Sequence, residues 1–176
     1  MKLFHINVVC TDFEKSYAYY TEKVGLIPLT RRGAGIPDPA KPTRAADGRL
    51  PGEARTRPED GAASARALGL EADMGSRGVL LYWPGSPEGP YIDLLQWTEG
   101  GQPLERTPKE TGLARLAMQV DDIEGEHARM RERGVEFVSE PVPILLGATM
   151  IKIVFFRDPD GTLLELVELP NGGWGR

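Results

Sequence analysis

Cysteine is almost absent from this 176-residue chain: Cys10 stands alone, so no internal disulfide can form, which agrees with a reducing compartment. No Lys or His lies beside it to lower its pKa, so it reads as a small buried strand residue rather than a reactive thiol. Histidine is nearly as scarce, with only His5 and His127. No apolar run approaches the ~20 residues that cross a bilayer. An excess of positive charge is missing too. The net charge of -5 excludes the basic face that phosphate contacts require, so no nucleic-acid partner is expected. The one Arg-rich stretch, Arg44 to Arg66, is interrupted by Asp47, Glu53, Glu59 and Asp60 and reads as a solvated loop. The first residues pass straight into a strand-like pattern, without a charged leader and apolar segment, and the expected location is cytoplasmic.

What the chain does have is repetition. LFHINVVCTDFEKSYAYYTEKVGL near the start aligns with LARLAMQVDDIEGEHARMRERGV in the second half, without a gap from Leu3 and Leu113 to Asp12 and Asp122. His5 falls opposite Arg115, and Gly25 comes within one position of Gly134. A duplicated unit fixes the architecture before any single residue is read. It also isolates His5 and Arg115 as the place where a shared pattern carries unlike chemistry.

Each copy opens on an apolar, β-branched run that predicts a strand, Ile6 to Val9 and Leu116 to Val120. An acidic cap follows, Asp12 or Asp122, and then a helical rhythm. Phe13, Tyr17, Tyr20 and Val24 share one side of the first helix; Ile123, His127, Met130 and the later Val135 keep the same spacing in the second. Despite its place in that rhythm, His127 sits among Glu126, Arg129 and Arg131 and is expected at the surface. Gly25 and Gly134 stand where helices end in a left-handed turn. Three further strands are expected in each half: 26–31, 78–83 and 91–97, then 135–139, 150–156 and 162–168. The order is strand–helix–strand–strand–strand, twice. The first half is longer by nearly the length of a Gly-, Pro-, Ala- and Arg-rich insertion at about 33–69, within which 59–70 has the pattern of a short helix and the rest lacks a core pattern.

Duplicated βαβββ units with these end-signatures resemble the vicinal oxygen chelate superfamily, which includes glyoxalase I, methylmalonyl-CoA epimerase, extradiol dioxygenases and the fosfomycin- and bleomycin-resistance proteins. The matching text is HINVVCTDFEKSYAYYTEKVGL, YIDLLQW, LARLAMQVDDIEGEHARMRERGVEF and RDPDGTLLELVEL. The resemblance implies an α+β fold in which units 1–99 and 112–170 form one domain, their curled mixed sheets enclosing a single cavity. It implies a small-molecule ligand and a homodimer; the lack of a spanning apolar run leaves no membrane partner expected. It implies metal ligands on the first and last strands of each unit, which fall here on His5, Asp93, Arg115 and Glu165. Arg115 departs from the family, which has a histidine there. A guanidinium has no lone pair and stays protonated, so it cannot be a ligand.

Two readings of the quartet stand side by side. His5, Asp93 and Glu165 would offer one nitrogen and two carboxylates to Mn²⁺, Mg²⁺, Fe²⁺ or Zn²⁺. Without an ion, Arg115 would instead pair with one or both carboxylates, giving a self-neutralising polar centre. Strand alternation puts Asn7 on the side of His5 and Gln119 on the side of Arg115, as candidate substrate contacts. The expected function is an isomerase or lyase of glyoxalase or epimerase type. Glu165 is its first and Asp93 its second candidate base for moving a proton next to a carbonyl, with Arg115 or a metal holding the oxygen. The alternative is a non-catalytic small-molecule or antibiotic-binding protein of the bleomycin-resistance type.

Overall fold

The computed structural model describes residues 1–30, 44–57, 66–69, 75–102 and 107–170. The chain divides into two compact units, Met1–Pro103 and Leu104–Arg176.

In the first unit, β1 (His5–Val9) leads into α1 (Phe13–Ala18), whose winding widens into a π-helical segment over Tyr19–Val24. Asp12 caps α1, its carboxylate accepting from the Lys15 amide at 3.1 Å. Gly25 closes the segment at φ 91°, a left-handed conformation that a Cβ would oppose. The strands β2 (Ile27–Pro28), β3 (Ala54–Thr56), β4 (Ser76–Tyr82) and β5 (Tyr91–Trp97) complete the unit. The sheet order is β1-β5-β4-β2, with β3 paired to the other end of β4. β1 runs parallel to β5, Asn7 facing Asp93 across the ladder. Alternation does the sorting: Val8, Val79, Leu81 and Leu94 are buried on the helix side with Phe13, Tyr17, Tyr20 and Val24, while His5, Asn7 and Val9 lie on the open side. Each aliphatic chain buried this way stabilises the unit by roughly 1.5–3 kcal/mol.

The second unit repeats the plan with β6 (Leu116–Val120), α2 (Ile123–Glu132), β7 (Val142–Leu146), β8 (Thr149–Arg157) and β9 (Leu163–Glu168), in the order β6-β9-β8-β7. Asp122 caps α2 by accepting from the Gly125 amide at 3.0 Å, and Gly134 adopts φ 83°. Before β9, Asp158 Oδ1 receives the amides of Asp160 and Thr162 at 3.0 and 2.7 Å, which fixes the turn.

Three expectations need correction. The strand expected at 135–139 is reduced to a single bridge, Phe137 to Phe156, and β7 supplies the edge instead. Pro143 lies within that strand, which its edge position tolerates. The insertion is not without core pattern. Leu50 and Glu53 are buried and β3 joins the sheet, while of the expected helix at 59–70 only 66–69 lie within the described residues. Finally, His127 is buried at 5% exposure, its ring 4.3 Å from that of Phe137. The apolar rhythm outweighed its charged neighbours.

Candidate functional site

The open side of the first unit carries three of the expected site residues. His5 and Asn7 alternate along β1, and parallel pairing sets Asp93 of β5 beside them. Asn7 Nδ2 donates to Asp93 Oδ2 at 3.1 Å, and His5 Nε2 lies 3.8 Å from the same oxygen. That second distance is too long for a hydrogen bond. Phe4 packs edge-on against both His5 and Tyr91, at centroid distances of 5.2 and 5.5 Å.

The second unit brings together Arg115, immediately before β6, and Glu165 on β9. Arg115 Nε donates to Glu165 Oε2 at 2.5 Å. The two partners differ in environment. Glu165 is buried at 5% exposure, whereas the Arg115 side chain is 48% exposed and spans the Phe155 ring with its guanidinium carbon 5.6 Å from the centroid. One nitrogen of the fork is thus committed to a buried carboxylate, and the two terminal nitrogens carry four further N–H donors on a half-exposed side chain. Gln119 lies on the exposed side of β6, as Arg115 does.

The residue types argue against a metal centre of the family's kind. An ion ligated by Glu165 would sit about 5 Å from the guanidinium that shares this carboxylate. At an effective dielectric near 20, a divalent and a unit charge at that range repel by roughly 7 kcal/mol. His5, Asp93 and Glu165 therefore do not make a hospitable donor set while Arg115 holds Glu165. A separate acidic group, Asp122, Glu124 and Glu168, has ligand atoms within 4.8 Å of one another. It is occupied with structure: Glu168 Oε2 accepts the Ile123 amide at 2.8 Å, and Lys152 Nζ bonds to Glu124 at 2.7 Å.

The insertion contributes what the sequence reading missed, a cavity of about 310 Å³ on the open side of the first unit. Its walls include Ala54 and Thr56 of β3, Ser76 and Gly78 of β4, and Asp93 and Leu95 of β5. An ion-pair network anchors the segment that builds this wall. Arg77, packed 4.5 Å over the Phe13 ring, bonds to Glu14 at 2.8 Å and to Glu53 at 3.1 Å, while Arg44 and Arg55 hold the same two carboxylates. Tyr17 Oη donates to the Pro51 carbonyl at 3.1 Å, and burial, then the charges of Glu53 and Glu22, keep that phenol protonated far above its ordinary range. For Glu53, burial works to raise the pKa, but bonds from Arg55, the Leu50 amide and Arg77 outweigh it and leave it lowered. A short β-capable triplet, Ala54-Arg55-Thr56, was the only sequence signal of this wall.

Comparison with known proteins supplies the family. The family model described as the Glyoxalase/Bleomycin resistance protein/Dioxygenase superfamily matches residues 2–166. The chain belongs to that superfamily. Among curated proteins, a "Probable lactoylglutathione lyase" from Synechocystis sp. is 37% identical over 57 residues, covering 32% of this chain and 42% of that protein. The match thus spans less than half of that relative. Among solved structures, a glyoxalase family protein from Bacillus cereus aligns with a TM-score of 0.65 at 17% identity, covering 96% of this chain and 94% of its own. One from Enterococcus faecalis gives 0.56 at 19%, covering 95% and 97%. At such identities these structures support the glyoxalase fold alone. Among the described residues, no helix is long and apolar enough to cross a membrane.

Proposed function

We propose that this superfamily member moves a proton next to a carbonyl, as an isomerase or lyase of glyoxalase or epimerase type, and that it does so without a metal ion at Glu165. The observation that carries the reading is the Arg115–Glu165 pair, a buried carboxylate tied at one oxygen to a half-exposed guanidinium with four further N–H donors. Glu165 Oε1, left unengaged by Arg115 Nε, takes the proton as the C–H bond breaks. The electron pair moves onto the carbonyl oxygen, where the terminal N–H groups of Arg115 stabilise the enolate. Return of the proton on the other face, or to a neighbouring carbon, gives an isomer; loss of a group from the neighbouring carbon gives a lyase product. Asp93 is the second candidate base, with Asn7 beside it as a candidate substrate contact of the first unit; Gln119, on the exposed side of β6 with Arg115, is the candidate substrate contact of the second. The partial likeness to a lactoylglutathione lyase supports an α-hydroxy or α-branched thioester as substrate class.

The test is exchange of the α-proton with deuterium oxide, followed by NMR, on lactoylglutathione and a panel of α-branched thioesters. Glu165→Gln should abolish exchange while thermal unfolding remains cooperative. Exchange retained in that variant rejects the assignment.

A binding protein of the bleomycin-resistance type is the second reading, favoured by the cavity of the first unit, which falls at the small end of ligand pockets (~300–1,000 Å³). Saturable ligand binding by a wild type that exchanges no α-proton would select it. Under either reading, 1–99 and 112–170 form one vicinal oxygen chelate domain acting on a small molecule as a homodimer in the cytoplasm. Family habit supports the pairing, and the solitary, buried Cys10 supports the compartment.

A further inference from the structure

The cavity of the first unit exists because of what is missing from its floor. Gly78 pairs with Leu95 on one side and with Ala54 on the other, so the row across β3, β4 and β5 is small, absent and large. A Cβ at position 78 would stand 3.2 Å from Leu95 Cδ1 and 3.7 Å from Asp93 Oδ1. Any side chain there fills the space directly in front of that oxygen. The backbone does not demand glycine at this position, because Gly78 is not among the positive-φ glycines. The vacancy is spatial rather than conformational.

The two oxygens of Asp93 are inequivalent. Oδ2 accepts from Asn7 and has His5 nearby. Oδ1 faces the Gly78 gap with no hydrogen-bond donor among the described residues. Among the described residues of the cavity wall, Asp93 is also the single charged side chain, the others being aliphatic, glycyl or hydroxyl-bearing. The Arg77 guanidinium, on the next residue, projects to the opposite side of the sheet onto Phe13. A pocket of this make-up repels carboxylates and offers an ammonium group one charged acceptor, with Thr56 and Ser76 hydroxyls as further acceptors. Its volume equals roughly ten waters at ~30 Å³ each.

From this we infer that Gly78 and Asp93 form a recognition subsite for the protonated amine of a short, branched aliphatic group, Gly78 setting the size and Asp93 Oδ1 accepting the charge. The inference rests on the proposed function only in taking the open face of the first unit as the ligand face.

The probes are three molecules of one carbon frame, 3-methylbutylamine, 3-methylbutanol and 4-methylpentanoate, titrated into isotope-labelled protein with amide shifts read by NMR. The amine should bind saturably, shifting the amides of Gly78, Asp93 and Leu95, and the carboxylate should not. Asp93→Asn, which keeps the shape, should weaken the amine by about tenfold or more and leave the alcohol nearly unchanged. Gly78→Ala, whose Cβ stands 3.2 Å from Leu95 Cδ1 and from the Leu94 carbonyl oxygen of β5, so that each must give by a few tenths of an ångström, should weaken both amine and alcohol while unfolding stays cooperative. Binding of none of the three, equal binding of amine and carboxylate, or an amine affinity indifferent to Asp93→Asn overturns the inference. Loss of α-proton exchange in Glu165→Gln is a separate readout, so the subsite and the catalytic assignment can fail independently.

Discussion

Replacing Arg115 by methionine tests the energetics of the pair while keeping an unbranched aliphatic side chain at the position. The cost is bounded by two limits. An exposed ion pair contributes about 0–1 kcal/mol, because solvent screens it. Stripping the partner from a fully buried charge costs about 3–5 kcal/mol, because the charge is left uncompensated. Here the carboxylate is buried but the guanidinium is 48% exposed, so water can reach the vacated side. The expected loss therefore falls between the limits, at about 2 kcal/mol. For a chain of this size that lowers the melting temperature by roughly 4–8 °C. In a Glu165→Gln background the charge is already gone, and Arg115→Met should cost only the cation–π contact, about 0.5–1 kcal/mol. The double-mutant cycle, measured by denaturant unfolding, should return a coupling of about 1–1.5 kcal/mol. A coupling below about 0.3 kcal/mol would show that the pair does not hold in solution, and the metal-free mechanism would lose its footing.

Other consequences follow from the same contacts. The pKa of Glu14 is lowered, chiefly by hydrogen bonds from Arg44 and then Arg77, and that of Glu53 is lowered against the opposing effect of burial. Both carboxylates therefore stabilise the insertion anchor above the ordinary value of 4.5, and that support is lost as pH falls from there through their depressed folded values. The Leu50 amide, which donates to Glu53 Oε2 at 2.8 Å, should report this as a shift change below pH 4.5; a resonance flat through that range contradicts it. Arg77→Ala should free the anchor and abolish binding in the first-unit cavity without altering the α2 resonances, and retained binding would count against the anchoring role. His127 Nε2 is buried without a hydrogen-bond partner among the described residues. His127→Leu should then be neutral or stabilising by up to about 1 kcal/mol, whereas His127→Ala should cost roughly 2 kcal/mol through the cavity left against Phe137. Equal losses in both variants, by thermal unfolding, would mean that the imidazole makes a polar contact that matters.

Much of this arrangement could be read from the chain because duplication states each rule twice. Asp12 and Asp122 cap their helices, Gly25 and Gly134 end them, and strand alternation put Asn7 on the side of His5. The pairing of Arg115 with Glu165 followed from elementary charge chemistry at family positions. What escaped was set by neighbours distant in sequence. β3 carries no apolar alternation and is held by Arg77 and β4, not by its own pattern. β7 contains a proline that only an edge position excuses. His127 is buried because Phe137 returns over it, which no local window reveals. The Gly78 cavity was the least legible feature, since its content is a side chain that is not there.

The most direct test of the central claim is metal analysis of wild type beside Arg115→His, both purified without chelator and without a metal-affinity tag. The account predicts well under one equivalent of divalent ion in the wild type, and a tightly held ion in the variant, where an imidazole replaces the guanidinium that now holds Glu165. A wild type carrying one full equivalent of divalent metal, released by Glu165→Gln, would contradict it.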